Sequence, residues 1–153
     1  MYFPKPGIKK DPVRRWNQMD RVFFGHGACH ILAGVYLQRF PDSGFYAVKI
    51  IPGEGLAGNH VFVTNGTRAF DYHGYSFLDQ LITHHTKGWH QRIPEWQATI
   101  SKVDFPLLNT AALNAHKMLG PDQYLHNPIK RAQKFIDRFD HKLAKSLKQE
   151  QSI

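Results

Sequence analysis

The chain has 153 residues, 42% hydrophobic and 21% charged, a length that fits one domain with a sizeable core and a composition that excludes a wholly disordered chain. Its 20 Lys and Arg against 12 Asp and Glu leave a formal charge of +8, which admits an anionic partner without requiring one. One cysteine, Cys29, excludes an intramolecular disulfide and a cysteine-based zinc cluster, and the absence of a long apolar run or signal-peptide core makes a cytoplasmic location without a transmembrane segment the expectation.

Residues 1–16 carry Pro4, Pro6, Gly7 and Pro12 among basic side chains and read as a basic extended arm; 17–153 read as a single α+β domain. Val22-Phe23-Phe24 leads into Gly25-His26-Gly27-Ala28, a small-residue approach to Cys29. From Ala28 to about Arg39, Ile31, Leu32, Val35 and Tyr36 recur at helical spacing until Pro41-Asp42-Ser43-Gly44 stops the run. Cys29 therefore falls in the first turn of a helix, and Gly27 is expected to permit close backbone approach there.

Residues 45–51 are rich in β-formers and end at Pro52-Gly53. Two further apolar runs, 59–64 and 67–73, flank Asn65-Gly66, a dipeptide suited to a two-residue hairpin turn. That turn predicts Thr64 opposite Thr67, Phe62 opposite Ala69, and His60 opposite Asp71, with the last two Cβ atoms roughly 5 Å apart on one face. A loop longer by one residue would remove Asp71 from that face.

A helix is expected from Ser76 to about His85, burying Phe77, Leu78, Leu81 and Ile82, then a polar turn over 86–94 and a strand over 95–103. Another helix spans Pro106 to Leu119. Asn127 and Pro128 open a C-terminal amphipathic helix over 127–149, with Ile129, Ala132, Phe135, Ile136, Phe139, Leu143 and Leu147 as its stripe. The predicted fold class is α+β: an antiparallel sheet with the nucleophile-bearing helix packed on it and additional C-terminal helices.

The chemistry suggested is that of a thiol nucleophile. A helix N-terminus and an imidazolium both lower a thiol pKa, so Cys29, His60 and Asp71 are the candidate nucleophile, base and orienting acid. Gly27-Ala28-Cys29, His60-Val61-Phe62-Val63 and Phe70-Asp71-Tyr72 resemble the core of the papain-like cysteine enzymes in their transglutaminase-like form. The resemblance covers about residues 25–75. It departs from that family in having Phe62, not Trp, two positions after the histidine, and no Trp beside Cys29.

What it implies is a cysteine-dependent hydrolase or acyltransferase with Cys29, His60 and Asp71 in those roles and no substrate specificity; a peptide, protein or small acyl or amide substrate, with no cofactor and no metal, is the expectation. His26, His30 and His73 join Gly27 as candidate pocket residues. Two other readings compete: a non-enzymatic basic module binding nucleic acid or a protein partner, and a His-based metal-binding protein, for which the ten histidines are the argument.

Overall fold

The computed structural model describes residues 7–144, apart from the side chain of Lys9. Its organising element is the helix predicted to carry the cysteine, Cys29–Arg39 (α3). Every residue from His30 to Tyr36 in it is buried, the pattern of a helix enclosed on all sides rather than laid on a surface. The fold is α+β, as the sequence predicts.

The sheet contains Tyr46–Pro52 (β1), His60–Thr64 (β2), Arg68–Asp71 (β3), Gly74–Phe77 (β4) and Ala98–Lys102 (β5), all antiparallel in the order β4-β3-β2-β1-β5. Alternation of side chains across a strand splits these residues between two cores. Ala47, Val61, Val63 and Phe70 pack with α3, together with Phe135 and Ile136 of the helix Pro128–Ile136 (α6). Val48, Ile50, Phe62 and Ala69 pack on the opposite side with Trp96 and Leu81 of Leu78–His90 (α4).

Several boundaries differ from the sequence reading. Residues 7–16 are not an extended arm: Ile8–Lys10 forms a 3₁₀ turn, and Asp11 caps a short helix, Pro12–Trp16 (α1), by accepting the Val13 and Arg14 N–H groups. Residues 1–6 lie outside the described residues. After α1 and a further short helix, Asp20–Phe23 (α2), the Arg131 guanidinium holds this region against α6. It donates to Asp20 at 2.8 Å and to the Trp16 and Gln18 carbonyls at 2.6 Å each, with its plane over Phe23.

The segment expected to open a helix at Ser76 is instead β4, because Asp71 and Gly74 close a tight turn that pairs Phe70 with Tyr75. Helix α4 starts two residues later and continues through Thr86–His90, where a turn was expected. Strand β5 is shorter than 95–103, and the predicted 106–119 helix contracts to Thr110–Ala115 (α5). The chain leaves α5 through Lys117, at φ 61°, while the Met118 N–H returns to the Leu113 carbonyl.

The predicted 127–149 helix ends at Ile136. His141 Nε2 takes the Ile136 carbonyl at 2.7 Å, so a side chain occupies an acceptor the next helical turn would use. The end of that predicted helix, including Leu147, lies outside the described residues. With Nε2 donating, His141 Nδ1 accepts from the Tyr75 hydroxyl at 2.7 Å, and Tyr75 in turn accepts from Tyr36 at 2.9 Å. This chain ties α3, β4 and the segment after α6 together.

Replacing Tyr75 by Phe leaves the polar groups of two buried residues, Tyr36 and His141, without that partner, and unfolding stability falls by about 2 kcal/mol. Urea denaturation measures it; a loss below about 0.5 kcal/mol would show that the hydroxyl chain does not hold these elements together.

Candidate active site

The hairpin keeps its predicted face but not its predicted pairing. Thr64 faces Ala69 and Val63 faces Phe70, two residues offset from the expected register. The closing bond runs from the Asn65 N–H to the Arg68 carbonyl, so Gly66 and Thr67, rather than Asn65 and Gly66, occupy the centre of the turn. Gly66 takes φ 96° there. Asn65 Oδ1 accepts the N–H groups of Thr67 at 3.0 Å and Arg68 at 2.8 Å, the local bonding that suits Asn to a turn.

A shift of two residues preserves the side-chain face, whereas a shift of one would have reversed it. Asp71 thus becomes the diagonal neighbour of His60 instead of its direct partner. Its Oδ2 still lies 3.0 Å from His60 Nε2.

His60 is 1% exposed and Asp71 3%. The carboxylate has further donors: the His73 N–H reaches Oδ1 at 2.9 Å and His73 Nδ1 lies 3.3 Å from it. Burial alone would push Asp71 up, but His60 and His73 hold it far below the usual carboxylate range. The His60 ring is fixed on its faces as well. Phe62 stacks on it at 5.9 Å, His85 at 5.4 Å with planes 13° apart, and Tyr72 meets it edge-on.

Because Nε2 is engaged by Asp71, Nδ1 is the nitrogen left to face the thiol; it is buried and accepts or donates no hydrogen bond to the described residues. Burial works against the charged imidazole, yet contact with Asp71 and Cys29 raises its pKa to about 10.

Cys29 stands at the first position of α3, where partial positive charge from the helix favours an anion. The two residues approach from different faces of the sheet. His60 belongs with Phe62 on the α4 side, whereas α3 packs on the Val61 side. They come together because Cys29 opens its helix and His60 opens its strand at the same end of the sheet. The Val61 N–H points at Cys29 Sγ from 3.4 Å. Burial would push the thiol up; the neighbouring His30 and His60 rings and their positive charge outweigh it and bring the thiol down to about 5.

A cavity of about 210 Å³ opens beside Cys29. His26, Gly27 and His30 line it. His30 is locked by donation from Nε2 to the Leu119 carbonyl at 2.7 Å. Gly27 is needed for a different reason than close approach: it takes φ 133°, and a Cβ there would meet nothing within 4 Å. Its carbonyl accepts from the Tyr124 hydroxyl, which pins the loop before the cysteine. His73 does not line the cavity; it sits behind Asp71, edge-on to His84.

Other lining residues were not assigned to the pocket from sequence: Arg15, Asn59, His85 and Lys117. Trp89 lines it as well. His85 and Trp89 are four apart on α4, a helical spacing obscured by reading 86–94 as a turn. His85 donates to the Gly58 carbonyl at 2.7 Å; burial and the charge of His60 hold it down to about 4, so it covers the imidazole as a neutral ring. Among the described residues no group of three or more His, Cys, Asp or Glu side chains is placed to hold a metal ion, and no helix is long and apolar enough to cross a membrane.

The chain matches no family model, no curated protein and no solved structure.

With Cys29 at about 5 and His60 at about 10, thiolate and imidazolium coexist between those values. Falling pH protonates the sulfur, so the rate of alkylation by iodoacetamide drops through an inflection near 5, not near the ordinary thiol value of about 8.5. In His60→Ala the inflection moves upward by at least two units, about 2.7 kcal/mol of lost thiolate stabilisation. Equal inflections above pH 8 in both proteins would show that the imidazole does not activate this thiol.

Proposed function

We propose that the protein is a cysteine-dependent hydrolase or acyltransferase acting on an amide or related acyl bond, with Cys29 as nucleophile, His60 as general acid and base, and Asp71 as the residue that orients His60. The observation that carries this reading is the buried His60 ring, committed through Nε2 to Asp71 at 3.0 Å while Nδ1 remains for the thiol at the start of α3. A buried polar nitrogen left without a hydrogen bond is costly. It is explained if that nitrogen carries a proton to and from the reacting atoms.

In the reaction, the Cys29 thiolate attacks the substrate carbonyl carbon and forms a C–S bond, moving an electron pair onto the carbonyl oxygen. As the tetrahedral intermediate collapses, the C–N bond breaks and the departing amine takes the proton from His60 Nδ1. Water or a second amine then attacks the thioester, His60 accepts its proton, and the C–S bond breaks to release the acyl product and restore the ion pair. The first-turn N–H groups of α3, which lack intrahelical acceptors, supply donors for the carbonyl oxygen.

The fixed ring lowers the reorganisation each proton transfer requires. Phe62 and His85 cover the faces of His60, and Asp71 holds its Nε2–H tautomer, so Nδ1 is presented to the thiol at every turnover.

The reading is tested with p-nitrophenyl acetate, whose leaving group needs no specific pocket. A burst of about one nitrophenolate per protein is expected, with an acetyl group on Cys29 by intact-mass and peptide analysis. The burst vanishes in Cys29→Ala, and in Asp71→Asn its rate falls about a hundredfold or more. Acetylation confined to lysines, or a burst that survives in Cys29→Ala, would overturn the assignment.

A further inference from the structure

We infer that the substrate of the thiol site carries a small carboxylate close to its scissile carbonyl, received by Lys117 and Arg15; the inference rests on the thiol reading above. Both cations line the cavity beside Cys29, and no Asp or Glu lines it with them. They come from distant parts of the chain, Arg15 from α1 and Lys117 from the turn after α5. Two separate segments thus contribute a cation each to the lining of one cavity.

The backbone carrying each cation is held. The Arg131 guanidinium bonds the Trp16 carbonyl at 2.6 Å, fixing the residue next to Arg15. Lys117 takes φ 61°, the one positive φ outside glycine among the described residues, and its N–H bonds the Asn114 carbonyl at 3.0 Å. That region is disfavoured for an ordinary side chain, and Gly or Asn meets it more readily. A lysine at such a position is accounted for when its charge is used.

The chemistry of the cavity limits the group it receives. Its volume, about 210 Å³, is below the roughly 300–1,000 Å³ of pockets that enclose a drug-sized molecule. It suits the reacting end of a substrate. His85 is neutral and Trp89 uncharged, so α4 adds no positive charge to the lining, which also contains the His26 and His30 rings. The substrate class is therefore an amide or acyl compound with a carboxylate a few bonds from the carbonyl, such as the terminal residue of a peptide or a free amino-acid amide.

Two alkylating agents that differ in one charge separate this inference from the reading beneath it. Iodoacetate and iodoacetamide are reacted with the full chain at pH 7, and the ratio of their rates at Cys29 is compared between wild type, Lys117→Gln and Lys117→Glu. His60 is present in all three, so its own attraction for iodoacetate cancels in the comparison. The expected ratio falls about threefold in Lys117→Gln and about tenfold in Lys117→Glu, and the wild-type ratio falls with added salt.

Lys117 is exposed, and matching urea midpoints for the variants establish that the fold is unchanged. If a midpoint falls instead, Arg15→Gln gives the same comparison from α1. Ratios unchanged in every folded variant overturn the carboxylate inference while fast iodoacetamide alkylation leaves the thiol reading in place. Slow iodoacetamide alkylation of the wild type overturns the thiol reading, and the substrate inference with it.

Discussion

An imidazole buried to 1% exposure can hold a positive charge only where counter-charges touch it, because the lost hydration amounts to several kcal/mol. His60 has two such groups: the carboxylate of Asp71 at Nε2 and the thiol of Cys29 on its other side. Each member of the trio is stable in its charged form because of the others. The carboxylate is kept ionised by His60 and His73, and the thiol by His60 and His30. The surrounding architecture has one requirement to meet, which is to bring a helix start and a strand start to the same point.

That requirement explains the distribution of the core. Helix α3 is enclosed on all sides, so the first residue of the helix is set by packing along its whole length. The sheet contributes its two faces to different tasks. Val61, Val63 and Phe70 hold it against α3, while His60, Phe62 and Asp71 look toward α4. The ring-stacking of Phe62 and His85 on His60 belongs to the second core. A histidine whose orientation is fixed by hydrophobic packing and one carboxylate loses little entropy when it exchanges a proton.

The cavity takes its charge from elements outside the trio. Arg131 bonds to Asp20, to the Trp16 carbonyl at the end of α1 and to the Gln18 carbonyl before α2, which secures the N-terminal helices beside the cysteine loop. Tyr124 reaches the Gly27 carbonyl from the segment that follows α5. The formal charge of +8 is thus not wholly a solvated surface: two of its contributors, Arg15 and Lys117, stand at the cavity.

What could be read from the chain alone was local. The helical spacing of Ile31, Leu32, Val35 and Tyr36 identified α3 and placed Cys29 at its start, and Asn65-Gly66 marked a hairpin, because both signals reside in consecutive residues. That His60 and Asp71 share a sheet face was also legible, although their direct pairing was not: the turn centre was one residue off, and a period of two forgives an offset of two. The end of α6 and the strand β4 were not legible: a side chain five residues on, His141, takes the Ile136 carbonyl, a tight turn at Asp71 and Gly74 starts β4, and Tyr75 on that strand is tied to Tyr36 and His141 far along the chain. Part of the cavity is local, the run His26, Gly27, Cys29 and His30; the rest is tertiary, since only the packing of α1, α4 and the turn after α5 around the cysteine brings Arg15, the α4 pair His85 and Trp89, and Lys117 together.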